Sequence, residues 1–179
     1  MKRSLGVRKL AGFMFVSAAG TFLHFLYDIT GRNVAAGLIS AVNESIWEHM
    51  KLIFYPMLVV SLTEYRLVKE DRARLRCSTL AGILLALTLI PVLYYSYTGI
   101  LGISADWFNV TIFFIAAGAA YWLEYRIESS AGRCRISFKL WVLILLLMAG
   151  VFTAATFYPP RIPLFRDPRT GTWGIWERG

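Results

Sequence analysis

The chain has 179 residues, of which 57% come from the set AVILMFWYC and only 17% are charged, with a mean hydropathy of +0.55. A soluble domain of that size has too little interior for so much apolar surface. The composition therefore points to a bilayer and excludes a disulfide-knit secreted domain or a disordered tail. The net charge of +8 does not imply nucleic acid, because Lys and Arg collect in short segments beside apolar runs, as in membrane loops. Membrane lipids are the expected partners, and association with a second copy or another membrane protein stays open.

The first span is read over residues 10–27, behind Lys2, Arg3, Arg8 and Lys9. Ser17, Ala18, Ala19 and Gly20 would suit signal-peptide cleavage, but the apolar run continues to Leu26, so the segment is read as a retained anchor. Residues 31–43 are too short to cross and return, and Val34, Leu38, Ile39 and Val42 give them the pattern of a small interfacial helix. A second span over 46–67 opens on Ser45-Ile46-Trp47-Glu48, a capping box in which Ser45 and Glu48 satisfy each other's backbone donors. Pro56 is expected to bend it. Further spans follow over 79–97, 106–125 and 138–158. The expected fold is all-α: an integral membrane helical bundle of about five transmembrane helices plus a short interfacial helix. It forms a single domain over 1–158, followed by a Pro- and aromatic-rich tail over 159–179.

The loop with Arg66, Lys69, Arg72, Arg74 and Arg76 and the loop with Arg126, Arg133, Arg135 and Lys139 fall on the side of the basic N-terminus. The connection 98–105 has no Lys or Arg. This pattern places the N-terminus in the cytoplasm and the C-terminus outside the cell membrane. Cys77 and Cys134 then lie on the reducing side and are expected to pack without forming a disulfide. Pro159, Pro160 and Pro163 give the tail a stiff exit, with Phe165, Trp173, Ile175 and Trp176 as apolar anchors. The tail either folds back as a lid, bringing Asp167 or an arginine to the site below, or merely orients the last span.

At a spacing of sixty, Trp47 matches Trp107, Phe54 matches Phe114 and Glu64-Tyr65-Arg66 matches Glu124-Tyr125-Arg126. The echo is read either as a duplicated hairpin or as the shared needs of two helices that run the same way.

Only two histidines occur, His24 and His49, and the topology brings both to the same end of the bundle from different spans. Asp28 is one turn beyond His24, and Glu44, Glu48 and Lys51 crowd around His49. Ionisable groups beside hydrocarbon are costly unless paired, hydrated or bound to an ion. His24, Asp28 and His49 are read as ligands to a divalent metal such as zinc, whose bound water would hydrolyse an ester or amide. In that reading Glu48 or Glu44 is the general base, and Lys51 faces headgroup phosphate or developing negative charge. The function expected is a metal-dependent hydrolase or transferase acting on lipid or envelope material. The alternative is a non-enzymatic transporter component or scaffold in which the same charges form a structural ion-pair network.

Three segments carry a resemblance: Leu23-His24-Phe25-Leu26-Tyr27-Asp28, then Asn43-Glu44-Ser45-Ile46-Trp47-Glu48-His49-Met50-Lys51, then the tail from Tyr158 to Pro168. Together they resemble an uncharacterised family of small prokaryotic multi-pass membrane proteins marked by the string N-E-S-x-W-E-H-x-K. The resemblance implies a shared membrane fold and no particular activity. Seven-span metal-dependent hydrolases of membrane lipids are a weaker likeness, since they use three histidines with Ser and Asp.

Overall fold

A computed structural model describes residues 2–130, 132 and 134–175; Arg133 and Trp176, both used above, lie outside the described residues. The described chain forms α1 (Lys2–Ile29), α2 (Val34–Gly37), α3 (Ile46–Leu67), α4 (Arg72–Leu101), α5 (Asp106–Ser129) and α6 (Phe138–Phe157). The fold is an all-α bundle. Helices α1, α4, α5 and α6 are long and apolar enough to cross a membrane. They expose large apolar side chains on their outer faces, among them Phe22, Leu84, Trp122 and Leu146. α3 is the predicted second span and is too polar to join that set, yet its Glu48, Lys51 and Glu64 are all buried. It is the polar axis of the bundle, packed against α1, α4 and α6, and it runs unbroken through Pro56.

Three contacts set the register of α1 against α3: Lys9 with Glu64, Gly20 with Leu52 and His24 with His49. As one number rises the other falls, so the helices are antiparallel. Gly12 against Tyr121 and Gly20 against Phe113 give the same sense for α1 and α5. Gly20 sits against both neighbours. A Cβ there would lie 2.5 Å from the Phe113 ring and 2.7 Å from the Leu52 carbonyl, so only glycine allows α1 this deep between α3 and α5.

The start of α3 shows half of the expected capping box. Ser45 Oγ accepts from the Glu48 amide at 3.3 Å, but Glu48 does not return the bond. The Ser45 amide donates instead to Asn43 Oδ1 at 2.9 Å, and the Glu48 carboxylate accepts from the Val42 amide at 3.0 Å. The expected interfacial helix over 31–43 is reduced to the single turn α2, capped by Asn33 and followed by turns. Its length falls short of an amphipathic face, and its Gly37 carbonyl serves the buried polar network described below.

One expectation is overturned. Cys77 and Cys134 are joined in a disulfide, with their Cα atoms 6.0 Å apart. The sequence reading judged each cysteine by its compartment. The start of α4 and the loop before α6 meet at one end of the bundle and bring the two thiols within reach, so the pairing counts against a reducing environment at that end.

The tail folds back. Phe165 is buried and its ring lies 4.6 Å from that of Trp47, while the Ile175 amide donates to the Thr156 carbonyl at 3.1 Å. Gly174 has φ +63° and a Cβ there would stand 2.8 Å from the Thr156 carbonyl, so this return requires glycine.

Candidate functional site

The string from Asn43 to Lys51 divides between two faces of α3. On one face Glu48 and Lys51 are buried together, Lys51 Nζ lying 2.6 Å from Glu48 Oε2. The ammonium also donates to the Gly37 carbonyl at 2.8 Å and to Thr156 Oγ1 at 2.9 Å. An ammonium has three N–H groups, so Lys51 is fully satisfied. Glu48 is also engaged at both oxygens, through Lys51 and the Val42 amide at Oε2 and through Thr156 at Oε1. This group ties α3 to the α2 loop and to α6. Neither Glu48 nor Lys51 reaches the pocket described next.

On the other face, His49 is joined by Glu44 and by His24 of α1. The imidazole centroids are 5.3 Å apart, and His49 Nε2 lies 3.6 Å from Glu44 Oε2. One donor atom from each of His24, Glu44 and His49 lies within 4.8 Å of the other two. His49 Nδ1 is 2.9 Å from the Ser45 carbonyl, a contact that makes Nδ1 the N–H donor and leaves the Nε2 lone pair towards Glu44. Two ligands on one tetrahedral ion with bonds of ~2.1 Å stand about 3.4 Å apart. The His49–Glu44 pair already has nearly that separation. A carbonyl holding the distal imidazole nitrogen is also what metal-binding histidines generally have.

These residues line a pocket of about 520 Å³ between α1, α3, α4, α5 and the tail. Its other charged groups are Asp106, at the start of α5, and Arg169 of the tail, whose Nη2 lies 2.9 Å from Asp106 Oδ2. The Asp106 hydrogen bond, followed by the nearby Glu44 charge, pushes the Arg169 guanidinium further towards its charged form. The buried Asp167 shapes the turn that delivers Arg169: its Oδ1 accepts from the Arg169 amide at 2.7 Å and from the Thr170 amide at 3.3 Å. Its Oδ2 accepts from the Glu44 amide at 3.4 Å, so one carboxylate positions residues on both sides of the pocket. Phe25, Val110 and Phe114 line the pocket and are exposed, and Phe113 lines it from α5.

Of the six residues read from the sequence, the structure brings together His24, His49 and Glu44, with Glu44 standing where a third ligand would be. Asp28 is exposed and pairs with Arg32 at 3.2 Å, one turn outside the pocket. Glu48 and Lys51 are neighbours of the site and belong to the buried network. The tail arginine that reaches the pocket is Arg169.

A second polar cluster lies at the opposite end. Lys9 Nζ lies 2.7 Å from a carboxylate oxygen of each of Glu64, Glu124 and Glu128, and all four residues are at least nearly buried. Arg8 adds a contact to Glu128, and Ser78 Oγ donates to it at 2.8 Å. Three carboxylates this close could hold a cation, and Lys9 supplies one. A signal was present in the repeat at sixty, since Glu64 and Glu124 are its matched acids and both grip the same lysine. The echo thus marks two helices that end on a common partner.

These features define a class of protein: an all-helical bundle with membrane-length apolar helices around a polar axis, and a histidine-bearing pocket at one end. The chain belongs to a family of unknown function, DUF6512, whose profile matches residues 7–175. No curated protein and no solved structure matches it.

Proposed function

We propose that the protein is a metal-dependent hydrolase or transferase of the cell membrane that acts on lipid or envelope material, with a divalent ion such as zinc held by His24, His49 and Glu44. The single observation that carries this reading is the convergence of those three donors from two helices and a loop at the wall of one pocket. The donor set suits zinc, which takes imidazole nitrogen and carboxylate oxygen and, with three protein ligands, keeps a fourth position for water. Such an ion acidifies its water and polarises the bond to be broken. Asp106 is the remaining carboxylate lining the pocket and is assigned the role of proton acceptor in place of Glu48. The basic loops put the N-terminus in the cytoplasm and the pocket at the outer face in this reading, which requires the Cys77–Cys134 disulfide to persist at the cytoplasmic end.

The non-enzymatic alternative, a scaffold or transporter component with a structural ion-pair network, is favoured by the saturated Glu48–Lys51–Thr156 group. It accounts for that half of the string and leaves the open half without a reason. Elemental analysis of protein purified without chelator tests between them. One equivalent of metal is expected in the wild type and in Asp28→Asn, with loss in His24→Ala and His49→Ala. Metal-free wild-type protein that also fails to take up added zinc overturns the enzymatic reading.

A further inference from the structure

We infer that the pocket receives an anionic amphiphile from the membrane, its charged headgroup bridging the metal and Arg169 and its chain lying on the apolar wall of α1 and α5. The inference rests on the metal reading above and deepens it by naming the substrate class and the residue that selects it. Arg169 takes the role expected of Lys51.

Charge complementarity is the first argument. The pocket is lined by two carboxylates, Glu44 and Asp106, and one guanidinium, Arg169. With neutral imidazoles it carries one net negative charge and repels an anion. A divalent ion held by the three donors would turn that balance to one positive charge and favour an anion in the same pocket, where Arg169 also lies. Guanidinium is suited to this task because its planar N–H fork matches the oxygens of a phosphate or carboxylate. Only the Nη2 contact to Asp106 engages it among the described residues, and its side chain remains 57% exposed. The backbone that carries it is meanwhile pinned by the buried Asp167, so the arginine is positioned in advance of any ligand.

Shape is the second argument. A pocket that accepted only a free ion would be small and polar, whereas this one holds about 520 Å³ and has Phe25, Val110, Phe113 and Phe114 in its lining. Phe25, Val110 and Phe114 are exposed on helices of membrane length, so the apolar side of the pocket is continuous with the surface that lipid chains would cover. A headgroup held at the metal can keep its chain in that surface.

Metal and headgroup must then strengthen each other's binding by the same factor. Zinc affinity measured by chelator competition on nanodiscs, after subtraction of empty discs, reads this out. Discs of phosphatidylcholine alone, the same discs with phosphatidate, and phosphatidylcholine discs with inorganic phosphate form the three arms. Phosphatidate is expected to tighten zinc about tenfold and inorganic phosphate far less. Arg169→Gln should bind zinc on neutral discs at least as well as wild type, having lost a nearby positive charge, and gain nothing from phosphatidate. An equal gain from inorganic phosphate would show that the site reads the anion alone and overturn the amphiphile. Zinc uptake indifferent to phosphatidate, or a gain that survives Arg169→Gln, overturns this inference and leaves the metal reading standing. No zinc uptake on any disc removes both.

Discussion

Two polar clusters occupy the opposite ends of the same pair of antiparallel helices. Lys9 and His24 are fifteen residues apart on α1, and His49 and Glu64 are fifteen apart on α3, about 22 Å in each case at 1.5 Å per residue. At the Lys9 end every charge has its opposite within ion-pair distance and the group is buried or nearly so, although Arg8 Nε and Glu64 Oε1, 3.5 Å apart, make no hydrogen bond. At the His24 end the donors are half-buried, stand around a pocket, and have among the described residues a looser contact, His49 Nε2 lying 3.6 Å from Glu44 Oε2. Burial of ionisable groups is common to both, so burial alone does not mark function. What separates them is close ion pairing at one end and an open pocket at the other. A cluster that satisfies itself needs no ligand, and one that does not is stable only with water or a bound ion beside it.

The sharpest way to break this contrast is to remove one member of a saturated group. Lys9→Met leaves three buried carboxylates facing one another, and Lys51→Met leaves Glu48 without its counter-ion. Each is expected to lower stability by about 3–5 kcal/mol, read from denaturant or thermal unfolding in detergent. The Glu48→Gln/Lys51→Met double variant should lose less than the sum of its single changes, since the second removes a charge already stranded by the first. Additive losses would mean that the two side chains do not act as a pair. Next in size is the effect of metal. Zinc at a hundredfold excess over its Kd should stabilise the wild type by about 2.7 kcal/mol and should do nothing for His24→Ala or His49→Ala. These two variants should match the wild type closely when metal is absent, in contrast to Lys9→Met. Gly20→Ala is smaller again. Its methyl group meets the Phe113 ring and the Leu52 backbone, and a carbonyl on a packed helix cannot yield as a side chain can. A loss of about 1–3 kcal/mol is expected, together with weaker zinc binding as α1 moves His24 away from His49.

The helices could be read from the sequence because each is an apolar run with basic flanks, and α3 because a cap and a charged start announce it. α3's place in the bundle could not, since a hydropathy scan treats inward and outward charges alike. Within the pocket, His24, His49 and Glu44 stood out because such residue types are rare in this chain and the topology brings them to one level. Lys9 was hidden by its setting: a lysine in a basic N-terminal segment looks like a flank, and only the third dimension shows three carboxylates around it. Glu128 and Thr156 offered no periodic or motif signal. The cysteine pair was missed because the inference ran from compartment to chemistry, whereas the pairing comes from two segments meeting 57 residues apart in sequence.

Asp28 sets the smallest and most discriminating expectation. It lies four residues after His24, a spacing that puts both on one helical face and made it a natural third ligand in the sequence reading. That argument assumes the helix is still beside the pocket one turn later. α1 ends at Ile29, and the chain turns away through Gly31 and Arg32. Asp28 is left 74% exposed and, among the described residues, pairs with Arg32 across a single turn. Exposed pairs of this kind contribute little, so Asp28→Asn should change stability by no more than about 0.5 kcal/mol. It should also leave zinc stoichiometry and affinity as they are in the wild type. Glu44→Gln removes a carboxylate that is less exposed than Asp28 and faces His49 at 3.6 Å, and it should lose the metal. If the two variants behaved in the opposite way, the ion would sit one turn further out on α1, and the pocket with its arginine would no longer be the place where bound water meets substrate.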